Sequence, residues 1–129
     1  MSQTVLLIED NAQNRYLATF LLEHHGYTVA YAEDGRRGIE LASTLAPDLI
    51  LLDIQLPQMD GYAVAEALRA VATLRTTPII AVTSYAMVGD REKALASGCT
   101  GYIEKPINPE TFIQDIRRFA PVPNPVPPP

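Results

Sequence analysis

Three unbroken aliphatic runs of strand length constrain this chain more than anything else in it: Val5-Leu6-Leu7-Ile8, Leu49-Ile50-Leu51-Leu52 and Ile79-Ile80-Ala81-Val82. A strand that is apolar at every position, rather than at every second one, has both of its faces covered. That is the condition of a parallel sheet packed between two layers of helices. Two more polar runs, Thr28-Val29-Ala30-Tyr31-Ala32 and Thr100-Gly101-Tyr102-Ile103-Glu104, complete a set of five, and the polarity of the former assigns it to an edge.

Helical signals fill the intervals. Asn11 is placed to cap a helix with Leu17, Phe20, Leu21 and Leu22 on its apolar face and Gly26 at its exit. A second helix runs from about Asp34 to Leu45, with Ile39, Leu41, Ala42 and Leu45 at helical spacings, and stops before Pro47. A third follows Gly61 with Val64, Ala65, Leu68 and Val71, and a fourth covers Val88 to Ser97, with Gly98 after it. The fifth starts near Pro109 behind an Asn108 cap and carries Phe112, Ile113, Ile116 and Phe119. Five strands alternating with five helices imply right-handed crossovers and a doubly wound sheet. The expected architecture is α/β, a flavodoxin-like (βα)5 three-layer sandwich with parallel strand order 2-1-3-4-5. The expected organisation is one domain over residues 1–120 and a tail over 121–129. Six of the nine tail positions are proline, so an extended polyproline-like form is expected there.

Charge narrows the function. With 10 Lys and Arg against 15 Asp and Glu, the net charge of −5 argues against a nucleic-acid or anionic-membrane partner. No run approaches the ~20 apolar residues of a membrane span, and Met1-Ser2-Gln3-Thr4 lacks the basic start of a signal peptide. Cys99, the single cysteine, excludes an intrachain disulfide. A cytoplasmic protein is expected.

In the strand order above, polar residues at the C-terminal strand ends converge: Glu9 and Asp10 after the first strand, Asp53 after the third, Thr83 and Ser84 after the fourth, Lys105 after the fifth. Ligands of open α/β sheets bind at that lip. Neighbouring strands lie ~4.8 Å apart, so Asp10 and Asp53 can share a cation, and Lys105 can reach Asp53 from ~10 Å at the backbone. Close carboxylates repel by about 4 kcal/mol per pair at an effective dielectric of 20. A hard cation removes the conflict, and a few oxygen ligands with room for water suit Mg²⁺. The parts also suit phosphoryl transfer: Asp53 as in-line nucleophile, the metal and Lys105 neutralising phosphoryl oxygens, Thr83 and backbone amides donating to them. An acidic rim holding no ion is the simpler reading of the same carboxylates.

Other candidates are weaker. His24 and His25 are adjacent on a helix and point in different directions, which suits surface or capping roles. Arg36-Arg37 and Arg117-Arg118 read as solvated helix positions, and Cys99 as a small buried residue. The tail is a candidate ligand for a proline-recognition module, or a simple spacer.

With Glu9-Asp10, Asp53 and its Pro57 to Gly61 turn, Thr83 and Lys105-Pro106 in chain order, residues 4 to 119 resemble the receiver domain of bacterial two-component response regulators. The resemblance implies that Asp53 is the phosphoacceptor, and that Mg²⁺ is held by Asp10, Asp53 and the backbone carbonyl of Gln55, with Glu9 acting through water. It implies that Thr83 and Tyr102 form the switch and that Gln55 and Tyr85 tune the lifetime of the phosphoryl group. It also implies a cis bond before Pro106. The expected function is a stand-alone, chemotaxis-regulator-like receiver. It takes a phosphoryl group from a sensor histidine kinase or histidine phosphotransfer protein and signals to a downstream protein target as a monomer or weak dimer. It is expected to be no enzyme in the ordinary sense, though it assists its own phosphorylation and dephosphorylation. The alternative is a Mg²⁺-dependent phosphohydrolase with Asp53 as nucleophile. Haloacid-dehalogenase-type enzymes want a second Asp two residues on, where Gln55 stands. A purely structural flavodoxin-like adaptor is the third reading.

Overall fold

In the computed structural model, which describes residues 3–84 and 88–120, the five runs pair as one parallel sheet in the order β2-β1-β3-β4-β5. The strands are β1 (Thr4–Ile8), β2 (Thr28–Ala32), β3 (Leu49–Asp53), β4 (Ile79–Thr83) and β5 (Gly101–Glu104). The helices are α1 (Ala12–His24), α2 (Gly35–Leu45), α3 (Gly61–Ala70), α4 (Val88–Ala96) and α5 (Phe112–Phe119). This is the expected flavodoxin-like sandwich. Readings placed on Met1, Ser2, Tyr85 and the 121–129 tail lie outside the described residues.

The all-apolar strands occupy the middle of the sheet because both of their faces are covered. Leu6, Ile8, Ile50, Leu52 and Ile79 pack on one side with Ala42, Val64 and Leu68. Val5, Leu7, Leu49, Leu51 and Ile80 pack on the other with Leu21, Leu22, Phe112 and Ile116. Each fully buried aliphatic side chain contributes roughly 1.5–3 kcal/mol, and the alternation along every central strand divides that contribution between two cores. Register then fixes the lip. Ile8 pairs with Leu52, Asp53 with Val82, and Thr83 with Glu104, so the first polar residue after each run emerges at one edge.

Caps start the helices where the sequence suggests. Asn11 accepts from the amide of Asn14, Asp34 from that of Arg37 and Asp60 from that of Tyr62. Three details depart from the sequence reading. Phe20 is exposed, because Ala18, Leu21 and Leu22 take the buried face and Phe20 falls on the opposite side of the helical wheel. Leu45, at the end of α2, is likewise exposed. α5 starts at Phe112 rather than near Pro109, since the Asn108 side chain accepts from the Glu110 amide and holds 109–111 as a turn. A short 3-10 turn, Ala72–Leu74, follows α3 and buries Leu74.

Candidate functional site

Three of the lip residues are buried polar groups at the ends of otherwise apolar strands: Asp53 at 3%, Glu9 at 4% and Thr83 at 3% exposure. Burying a carboxylate is costly unless charge and hydrogen bonds compensate it. Here Lys105 compensates two at once. Its ammonium lies 3.1 Å from Asp53 Oδ2 and 3.2 Å from Glu9 Oε1. The other Asp53 oxygen, Oδ1, accepts from the Gln55 amide at 2.9 Å, and Glu9 Oε2 accepts from the Asn11 amide at 3.2 Å. Both carboxylates are thereby fixed in direction. The cis Lys105-Pro106 bond is present as the resemblance implies, and the Lys105 amide donates to the Thr83 carbonyl at 2.8 Å, tying the β5 exit to β4.

The ammonium does not satisfy the cluster. One oxygen each of Glu9, Asp10 and Asp53 lies within 4.8 Å of the others, with Asp10 exposed at the mouth. Burial, followed by a shared hydrogen bond with Asp53 and repulsion from it, pushes Glu9 up from 4.5 to about 7, against the pull of Lys105 and the Asn11 amide. Burial works against the charge on Lys105, but Asp53 and Glu9 outweigh it and hold the ammonium above its ordinary range. Three carboxyl groups around one ammonium, all offering oxygen, fit a hard divalent cation that keeps water ligands.

The sequence reading thus places Glu9, Asp10, Asp53, Thr83 and Lys105 at one lip, and the structure brings them there. Gln55 is beside them, its side-chain oxygen accepting from the Ser84 amide at 3.0 Å and strapping the β3 exit to the β4 exit. Tyr102 lies two residues back from the lip, paired with Ala81 and half-buried against the core. The Arg91 guanidinium of α4 stands 5.0 Å from its ring centroid. Tyr85 lies outside the described residues.

Sequence reasoning missed the supports. Arg15 donates to the backbone carbonyls of Glu9 and Asp10 at 2.9 and 3.0 Å, holding the acid pair at the end of β1. Gly61 brings α3 onto the β3 exit: its amide donates to Ile54 O, and a Cβ there would lie 2.4 Å from Ile54 Cα. The glycine itself was visible as a turn signal; its close approach to Ile54 was not.

Three comparisons with known proteins agree with this geometry. The family described as response regulator receiver domain matches residues 5–117. The polar-differentiation response regulator DivK of Brucella ovis is 41% identical over 119 residues, covering 92% of this chain and 97% of that protein. The chemotaxis response regulator CheY4 of Vibrio cholerae superposes with a TM-score of 0.89 at 30% identity, covering 92% of this chain and 99% of that one. The receiver domain of the sensor histidine kinase PA1611 from Pseudomonas aeruginosa, described with a magnesium ion coordinated in its active-site cleft, gives 0.84 at 35% identity, covering 93% and 98%.

Proposed function

Since the chain belongs to the response regulator receiver domain family, we propose that Asp53 is the carboxylate through which this phosphoacceptor works. The phosphoryl group comes from a sensor histidine kinase or a histidine phosphotransfer protein. The observation that carries the reading is the buried Asp53, with one oxygen on Lys105 and the other on the Gln55 amide, beside an all-oxygen acid cluster. A nucleophile held at both oxygens is already aimed.

Attack by an Asp53 oxygen on phosphorus forms an O–P bond as the P–N bond to the donor imidazole breaks, its electron pair leaving with the ring nitrogen. Lys105 transfers its contact from carboxylate to phosphoryl oxygen, and Thr83 donates its hydroxyl. The Ser84 amide exchanges the Gln55 side chain for the incoming oxygen. Asp10, Asp53 and the Gln55 carbonyl would hold Mg²⁺, with Glu9 acting through water. When bound, that ion supplies charge neutralisation at the phosphoryl oxygens. Thr83 and Tyr102 then form the switch, reshaping the face made by α4, β5 and α5 toward a downstream protein. Gln55 and Tyr85 govern how readily water reaches the phosphoryl group, so the protein assists both its own phosphorylation and its own dephosphorylation.

The working unit is the receiver of residues 1–120, followed by the proline-rich 121–129 segment. It acts in the cytoplasm as a monomer or weak dimer, without nucleic acid or membrane as partner. Among the described residues no helix is long and apolar enough to cross a membrane. Incubation with a small phosphodonor and Mg²⁺, followed by intact mass, tests the assignment. One added phosphoryl group, absent in Asp53→Asn, is the expected result. An adduct that survives this substitution, or steady turnover with no adduct, overturns it.

A further inference from the structure

Two cavities meet at the mouth of the site. The inner one is a narrow space lined by Glu9, Asp53, Val82 and Phe112 among others. The outer one is an open cleft of about 390 Å³ bordered by Ser84, Lys105 and Pro106. Two side chains line both: Ile107, and Asn14 in the first turn of α1. That turn is fastened to the lip. The Asn14 amide donates to the Asn11 cap at 3.0 Å, and the next residue, Arg15, donates to the Glu9 and Asp10 carbonyls. Asn14 is half-buried, yet among the described residues its carboxamide has no hydrogen-bond partner. Its polar neighbours in the cleft are engaged: the Lys105 ammonium with Asp53 and Glu9, the Ser84 amide with Gln55.

The inference rests on Asp53 as the nucleophile. In-line displacement puts the leaving group on the side of phosphorus away from the attacking oxygen. Asp53 lines the inner cavity, and Lys105 and Ser84, which receive the phosphoryl oxygens, line the outer one, so the leaving group departs through the outer cleft past Asn14. We propose that Asn14 is a catalytic residue that holds this leaving group: its Oδ1 accepts the N–H of the donor's imidazole, at the ring nitrogen that does not carry phosphorus.

The chemistry balances. A phosphoimidazole protonated at that nitrogen is a cation. As the P–N bond breaks, its electron pair stays on the nitrogen that carried phosphorus, the other nitrogen keeps its proton, and neutral imidazole leaves while Asp53 gains the O–P bond. An acceptor at the retained proton stabilises the protonated, labile form of the donor and keeps the ring in line. A carboxamide suits the place better than a carboxylate, since it accepts without adding a fourth negative charge beside Glu9, Asp10 and Asp53. Pro106 and Ile107 give the ring an apolar wall. The same contact makes Asn14 selective for N-phosphoryl donors, because the leaving carboxylate of an acyl phosphate has no N–H to offer.

Phosphoryl uptake by the full chain and by Asn14→Leu, from monophosphoimidazole and from acetyl phosphate with Mg²⁺, tests this by intact mass against time. Asn14→Leu is expected to slow uptake from monophosphoimidazole by about 10- to 100-fold, the size of one hydrogen bond to a charged group, and to change uptake from acetyl phosphate little. Asn14→Gln, which keeps the carboxamide, should recover part of the lost rate. Binding of beryllofluoride with Mg²⁺, measured by calorimetry, should match wild type in both variants, because that phosphoryl stand-in has no leaving group. Equal slowing with both donors, weakened beryllofluoride binding, or an undiminished rate from monophosphoimidazole overturns the role of Asn14 while the adduct at Asp53 stands. The donor-selective loss appearing in Ser84→Ala instead of Asn14→Leu overturns it too. An adduct that persists in Asp53→Asn overturns the nucleophile itself, and this role with it.

Discussion

Without Mg²⁺, Glu9 is expected to make the fold lose stability as the pH rises from about 4.5 to about 7. Its carboxyl titrates at 4.5 when unperturbed and is pushed up to about 7 in the folded chain, first by burial and then by Asp53. Between those values the folded state holds a proton that the unfolded state has released. Stability therefore falls with rising pH across the window and is level above it. At 1.36 kcal/mol per pH unit the interval from 4.5 to about 7 is worth at most about 3 kcal/mol. With the Glu9 side chain only 5% exposed, little solvent screening reduces the effect. Against typical stabilities of about 5–15 kcal/mol it is large.

The assay is urea unfolding of the chelator-treated chain at several pH values, compared with Glu9→Gln. The difference between the two proteins cancels the titrating groups that do not touch Glu9, leaving Glu9 with its partners Asp53 and Lys105. Wild type should lose ground to the variant by up to about 3 kcal/mol between pH 4.5 and 7, and no further above that. Saturating Mg²⁺ should flatten the difference, because a cation at Asp10 and Asp53 favours the ionised carboxylate. A difference that is constant with pH, or that moves in favour of wild type as pH rises, refutes the reasoning.

Four further outcomes follow from individual contacts. Lys105→Met should slow phosphoryl uptake from a small donor by about 10²–10³-fold, read by intact mass against time, since it removes the only ammonium at Asp53 among the described residues. Gly61→Ala should destabilise by about 1–3 kcal/mol in urea unfolding, because its Cβ would meet Ile54 backbone at 2.4 Å with no flexible atom to give way. Arg69→Met should cost about 2–3 kcal/mol, since one guanidinium donates to the Leu74 and Gly98 carbonyls, each at 2.8 Å, and joins α3 to the approaches of β4 and β5. Tyr85→Ala should speed loss of the phosphoryl group; decay that is unchanged or slower counts against a shielding role.

The sheet was legible because its signal is local. A run such as Leu49 to Leu52 is apolar at both periods of the pleat, and only the middle of a covered parallel sheet accommodates that. The lip followed from the sheet, since strand order and direction are enough to gather Glu9, Asp10, Asp53, Thr83 and Lys105. What stayed hidden depends on juxtapositions with no local signature. Among adjacent apolar residues on α1, the true phase buries Ala18 and leaves Phe20 outside, and a composition-weighted reading prefers the larger side chain. The Gln55 to Ser84 and Arg69 to Gly98 bonds each join residues 29 apart through flexible side chains. Nothing along the sequence distinguishes those side chains from solvated ones.

The same juxtapositions decide whether a charge at the lip can move the far side of β5. Tyr102 pairs with Ala81, two residues before the Thr83 to Glu104 pair, and its outer contact is the Arg91 guanidinium. An inward turn of Tyr102 gives up that cation–π contact, worth about 0.5–2 kcal/mol. Under the proposed role of Asp53, a phosphoryl charge beside Lys105 would interact with that ammonium at about 4 kcal/mol at an effective dielectric of 20. In the proposed switch that interaction is of at least the same size as the restraint on the ring. A much firmer clasp on Tyr102 would lock the ring outward, and a much weaker one would leave it inward without phosphate. In the proposed switch, a half-buried tyrosine held by one cation–π contact to Arg91 would sit in the range where phosphorylation at Asp53 decides the outcome.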